Sequence, residues 1–352
     1  MRGFGLLDIL TVYVIVLFFW GIRKEKTNVC DSGFFSKDKT LAIKGVAVLV
    51  PILKHLSDAG VEGGKIILTL TNLVEVAPLL FFVISGYGLT KQNLIKENYS
   101  KGFLIKRFPK VLVPYVLATI IMVAANFVFN GFLYMPHDII HAILCGDPIV
   151  KYSWYVIHIL LFYLWFYFLM KVFGKNNIFI ILGGIVYYVI TTVLFVNMGF
   201  PMHWWGTSFA LVAGMLLAAY EQKIFVFFQR RYLIKFVAFI AVMVLLYYFE
   251  PKLQRVLHIS NFPPNAFFEL LFGCGIVVFL IKFSVGNPVS RFLGKYSYEI
   301  YILQGLFIVA GKSAKLHLEG DIYVWVVLVG SIISGVALYY VDKFILSKII
   351  RV

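Results

Sequence analysis

Residues 176–220 read NNIFIILGGIVYYVITTVLFVNMGFPMHWWGTSFALVAGMLLAAY, 45 residues without one Asp, Glu, Lys or Arg. A lipid bilayer accommodates a run of this length, provided the backbone pairs within itself as helix. Asn197, Gly199 and Pro201 interrupt the run, which predicts two membrane helices joined by a turn. The rest of the chain has the same character. Its 352 residues are 61% hydrophobic and 14% charged, with mean hydropathy +0.90, more apolar side chains than a soluble fold can bury.

Further apolar runs flanked by Lys and Arg span 6–22, 41–56, 66–90, 111–135, 154–170, 233–249, 264–281, 296–311 and 322–341. With the two inside 176–220 they make eleven. The fold class is therefore all-α, a polytopic transmembrane bundle of about eleven helices. The first run ends in Arg23, Lys24 and Lys26 without a small-x-small cleavage site, so it reads as a retained span. If the loop after it is cytoplasmic, inner segments hold 24 of the 32 Lys and Arg residues, which predicts the N-terminus outside and the C-terminus inside. The net charge of +15 is explained by this topology and needs no nucleic-acid partner. Cys30, Cys145 and Cys274 show no paired spacing, so neither a disulfide framework nor a zinc site is implied.

Polar residues inside the runs mark the chemistry. Lys44 and His55 lie eleven residues apart in KGVAVLVPILKH. On one helix that spacing turns about 1100°, within roughly 20° of three full turns, and climbs about 16 Å. Both side chains are thus expected on one face, a cation at the cytoplasmic end and an imidazole deep inside. The bland alternative is a snorkelling lysine and an interfacial histidine. Glu75 is a lone acid in a run of 25 residues, at a depth that matches His55; a carboxylate on one imidazole nitrogen would raise the basicity of the other. Asn72, one turn away, is the competing partner for Glu75. In the basic stretch from Lys91 to Lys110, Arg107 and Lys110 flank Pro109 at the start of a helix and suit phosphate; the scattered lysines there read as topology and lipid attraction.

Five ordered segments, LAIKGVAVLVPILKH, LLFFVISGYGL, FLIKRFPKVLVPY, SWYVIHILLFYL and LGKYSYEIYILQ, resemble the membrane acyltransferase 3 family over most of residues 41–345. The resemblance implies transfer of an acyl group, acetyl above all, from cytoplasmic acyl-CoA to a hydroxyl of an extracytoplasmic glycan. It makes His55 the base or transient acyl carrier and gives Arg107 and Lys110 the CoA phosphates; beside it, the depth match makes Glu75 a candidate catalytic partner of His55, and Lys44 is a further candidate for the phosphates. Lys44 and Lys110 stand where the family pattern has Arg, and Gln304 stands where many relatives have His. Residues 1–40 then form an extra span and loop ahead of a family-like domain from 41 to 352. No metal is implied. Expected partners are membrane lipid, acyl-CoA and the glycan, with either transfer completed by this chain alone or the group handed to a separate extracytoplasmic protein.

Trp154, Tyr155, His158, Tyr301 and Gln304 are the residues expected to meet the acceptor, with Trp204 and Trp205 as further sugar-stacking or interfacial aromatics. Glu299 reads as an acid favourable to its helix N-terminus. His137, His141 and Cys145 share a helix face but lack a fourth metal donor. Ser85 and Gly86 read as small residues at a helix contact, not as a nucleophile. The competing function is a transporter or flippase for a sugar or lipid-linked glycan, though no repeated halves are visible.

Overall fold

The structure is a computed structural model, which describes residues 5–25, 33–67, 76–256 and 266–349. Its helices are α1 (Leu6–Phe19), α2 (Lys37–Ala47), α3 (Leu49–Asp58), α4 (Val76–Ile95), α5 (Phe103–Arg107), α6 (Pro109–Asn130), α7 (Pro136–Leu144) and α8 (Trp154–Phe173), continuing with α9 (Asn177–Asn197), α10 (Ala210–Ala219), α11 (Glu221–Gln229), α12 (Tyr232–Val256), α13 (Ala266–Leu280), α14 (Pro288–Lys295), α15 (Ser297–Gly311) and α16 (Gly320–Ile349). The described strands, β1 (Arg23–Lys24) and β2 (Phe283–Ser284), form one short antiparallel pair.

Each of the eleven apolar runs coincides, in whole or in part, with a described helix. By length and apolarity, six described helices can cross a membrane, or seven if α10 and α11, bent by 77°, count as one span; α1, α13 and α15 are shorter apolar helices. The break inside 176–220 falls where the sequence puts it: α9 stops at Asn197, Gly199 takes φ +71, and Pro201 opens a short 3-10 turn. Lys37–Asp58 forms a single 22-residue span, divided into α2 and α3 at Val48.

Glycines let helix backbones touch. A Cβ on Gly86 of α4 would lie 2.1 Å from the Leu211 carbonyl oxygen of α10, and one on Gly214 would lie 2.1 Å from Val83 O. Where helices approach this closely in lipid, packing contacts replace the missing hydrophobic drive. Acids tie helices together as well. Asp8, wholly buried in α1, accepts from the backbone amides of Gly5, Gly64, Ile66 and Ile67 at 2.6–3.1 Å. Glu250 of α12 accepts from Phe267 N and Phe268 N at the start of α13, both at 3.0 Å. The first amides of a helix lack partners within it, and these acids supply them. Asn287 closes the other end of α1 by donating to Leu17 O and Trp20 O.

The buried side chains form two large clusters. One is built from α4, α8, α9 and α10; the other is built from α1, α3, α6, α15 and α16. Tyr155 packs against both, so it marks the seam on which the candidate site lies.

Candidate functional site

His55 is half-buried and lines a cavity of about 610 Å³, so it faces the protein interior and not lipid. Its position is fixed on two sides. Nδ1 lies 3.3 Å from Oε1 of Gln304, which is fully buried on α15. The ring lies flat on Tyr152, with centroids 3.4 Å apart and planes 10° from parallel. Tyr152 holds φ +66, a left-handed conformation that costs a non-glycine residue about 1–3 kcal/mol. The Tyr301 hydroxyl donates to Tyr152 O at 2.6 Å and holds the turn in that form. With a carboxamide oxygen accepting from Nδ1–H, the neutral imidazole keeps its lone pair on Nε2.

The same cavity is lined by Lys54 paired with Asp58, by Lys151 paired with Asp147 at 2.8 and 2.9 Å, and by Trp154, His203 and Tyr301. Its fixed charges therefore balance. His203, on the loop between α9 and α10, sets its ring 5.5 Å from Trp154; desolvation lowers its pKa from the ordinary imidazole value, and Asp147 opposes the shift.

Lys44 opens elsewhere. Two adjoining cavities of about 780 and 600 Å³ share Thr40, Lys44, Ser85 and Tyr163. The larger adds Lys37, Lys110, Lys295 and Lys343; the smaller adds Lys91 and Arg107. Together they form a cationic chamber. The Arg107 guanidinium donates to the Tyr99 hydroxyl at 3.0 Å, and Lys110 follows on the first turn of α6 beyond a break at Phe108, so the two cations face the adjoining cavities on either side of Lys44. Glu299 and Asp342, both buried, line the larger cavity as well.

These positions change several expectations. The single passage from Lys44 to His55 is divided: Tyr155 lines the cationic chamber, Tyr301 lines the His55 chamber, and their rings meet edge to face at 5.0 Å. Tyr155 therefore lies on the opposite side from the expected acceptor face. His158 is fully buried, bonded through Nδ1 to the Tyr187 hydroxyl at 2.9 Å and walled in by Phe82 and Phe195, which leaves it no cavity to line. Gln304 touches His55. Trp204 is buried, with its indole N–H on Gly146 O at 2.8 Å, and Trp205 is buried as well. Trp154 and Tyr301 do line the His55 chamber. Glu75 and Asn72 lie outside the described residues. Among the described residues, no group of three or more His, Cys, Asp or Glu is placed to hold a metal.

Sequence reasoning missed Glu221, the buried acid at the head of α11. It accepts from Tyr87 OH, from Lys91 Nζ and, at 2.8 Å, from Phe34 N, pinning the 33–35 turn beside the cationic chamber. An acid at the end of an uncharged run reads as a loop residue, and nothing local announces partners 130 and more residues away. Asp342 was hidden in the same way, just past its apolar run.

An acyltransferase-domain family model matches residues 42–341. The chain belongs to the acyltransferase 3 family. It is accordingly an acyltransferase and a multi-pass integral membrane protein. The match takes in His55, Lys44, Arg107 and Lys110 together, and nothing in it supports a transporter or flippase. No curated protein and no solved structure gives a significant match. As a member of the acyltransferase 3 family the protein works with an acyl donor, and the chambers around Lys44 and His55 both lie largely within the matched residues.

Proposed function

We propose that the protein carries an acyl group, acetyl in the first instance, from acyl-CoA in the cationic chamber to a hydroxyl of an extracytoplasmic glycan in the His55 chamber. The observation that carries the reading is the imidazole of His55, half-buried in a polar cavity with Nδ1 committed to Gln304. Nε2 takes the proton of the acceptor hydroxyl as its oxygen attacks the thioester carbonyl. The C–O bond forms, the C–S bond breaks, and the imidazolium returns the proton to the leaving thiolate, so His55 ends as it began. Arg107, Lys110 and Lys44 supply charge for the CoA phosphates, with Arg107 offering the bidentate fork. Trp154 and the balanced Asp–Lys pairs suit a sugar ring, which stacks on an aromatic face and hydrogen-bonds through its hydroxyls.

The cationic end is proposed to face the cytoplasm, in keeping with the loop charge bias. The test is transfer from radiolabelled acetyl-CoA by purified protein, comparing wild type with His55→Ala. Loss of transfer with retained CoA binding is expected. Undiminished transfer in the variant would remove His55 from the chemistry, and absence of CoA binding in the wild type would remove the donor.

A further inference from the structure

Two chambers with a shared wall raise a question of passage. A thioester held by cations at one end meets a base at the other only across whatever divides them. The dividing contact is aromatic. On one side, Tyr298 and Tyr301 project from the same face of α15, three residues apart, and both are pinned: Tyr298 OH donates to Val111 O at 2.7 Å and Tyr301 OH to Tyr152 O at 2.6 Å. On the other side stands Tyr155 at the start of α8, its ring 5.0 Å from Tyr301, 6.4 Å from Tyr298 and 6.3 Å from Phe81 and Phe82. Its hydroxyl makes no hydrogen bond among the described residues. One leaf is fixed by hydrogen bonds and the other makes ring contacts, each worth about 0.5–1.5 kcal/mol.

We propose that Tyr155 and Tyr301 form a swinging aromatic barrier between the chambers, and that this barrier limits the size of the acyl group the enzyme transfers; the second half rests on the acyl-transfer reading above. Tyr155 moves aside to let the thioester carbonyl through, and an acetyl group fits in the space so opened. A long acyl chain has to occupy the volume of the ring itself, against a Tyr301 that cannot retreat without releasing the strained Tyr152 under His55.

Two measurements test this, and the first does not depend on the enzymology. Ser85 lines both cavities of the cationic chamber, so Ser85→Cys in a chain whose native cysteines are serine reports entry there. In sealed vesicles exposing only the His55 end, a small impermeant methanethiosulfonate is expected to modify the thiol introduced by Ser85→Cys in the Tyr155→Ala background and not with Tyr155 intact. Equal modification in both overturns the barrier. The second measurement is release of CoA thiol from acetyl-CoA and octanoyl-CoA, with methyl glucoside in excess as acceptor probe. Tyr155→Ala, or Tyr155→Leu if the alanine variant does not fold, is expected to raise the octanoyl-to-acetyl rate ratio by about tenfold, roughly 1.4 kcal/mol of barrier. Tyr155→Phe keeps the ring and leaves the ratio at the wild-type value. A truncated variant with wild-type CoA affinity and an unchanged ratio overturns the size limit. A wild type that consumes neither thioester overturns the acyl-CoA reading and the size limit with it, while the labelling result still decides the barrier.

Discussion

Gln304 is a neutral partner for a residue proposed to move protons. Its amide oxygen fixes which imidazole nitrogen carries hydrogen, but it lends no negative charge to the imidazolium as a carboxylate would. Gln304→Leu leaves Nδ1–H without its partner, a penalty of about 1–3 kcal/mol. The expected outcome is a fall in kcat of roughly tenfold to a hundredfold, with KM for acyl-CoA unchanged, in steady-state kinetics. At the opposite chamber, Arg107→Ala is expected to weaken CoA binding by about tenfold or more in calorimetry, the scale of one lost charged hydrogen bond. Tyr99→Phe controls for the internal bond, since it removes the Tyr99 hydroxyl and keeps the cation. Unchanged affinity in Arg107→Ala would count against the phosphate assignment. At this scale the sequence was legible wherever a charge or imidazole stood alone in an apolar run, as with Lys44 and His55. It was silent on what those groups touch: the Tyr152 stack depends on a left-handed turn held from α15, nearly 150 residues away.

Helices in this bundle are positioned by small residues and by acids that cap a neighbour. Gly86 and Gly214 each meet carbonyl oxygen across the α4–α10 contact, whereas a Cβ on Gly88, two residues on, meets nothing within 4 Å. Gly86→Ala and Gly214→Ala are therefore expected to lower the thermal midpoint of the detergent-solubilised protein, each by more than about 1 kcal/mol of overpacking strain. Gly88→Ala is expected to leave it level or raise it, because alanine is the better helix former by about 1 kcal/mol. The same midpoint for all three variants would show that the close crossing is unnecessary. Asp8→Ala strands four backbone amides, two of them buried, and a loss of at least about 3 kcal/mol is expected in the same assay. The helices themselves were readable because hydrocarbon forces the backbone into them, so each apolar run had one option. Their pairing was not readable: SGYG in α4 looks like any small-residue patch until Gly214 is seen against it.

At the scale of the whole molecule, the two chambers give the bundle a direction. The cations proposed to hold phosphate cluster at the end where loop Lys and Arg are concentrated, and a charge-balanced, aromatic cavity lies at the other. If acyl-CoA comes from the cytoplasm, the proposed donor site must face the end that the loop charge bias is expected to put inside, which is the cationic one. Cys145 lets this be checked. It is exposed and adjoins Gly146 and Asp147, which line the His55 chamber, so it reports that end. Lys101 is exposed in the basic loop between α4 and α5 and reports the other. In intact cells, a membrane-impermeant maleimide is expected to modify a chain that keeps Cys145 with Cys30 and Cys274 changed to serine, and to leave unmodified a Lys101→Cys chain in which all three native cysteines are serine until the membrane is permeabilised. The reverse pattern would put the cations outside, away from any cytoplasmic thioester, and the assignment of donor and acceptor chambers would have to be exchanged or abandoned.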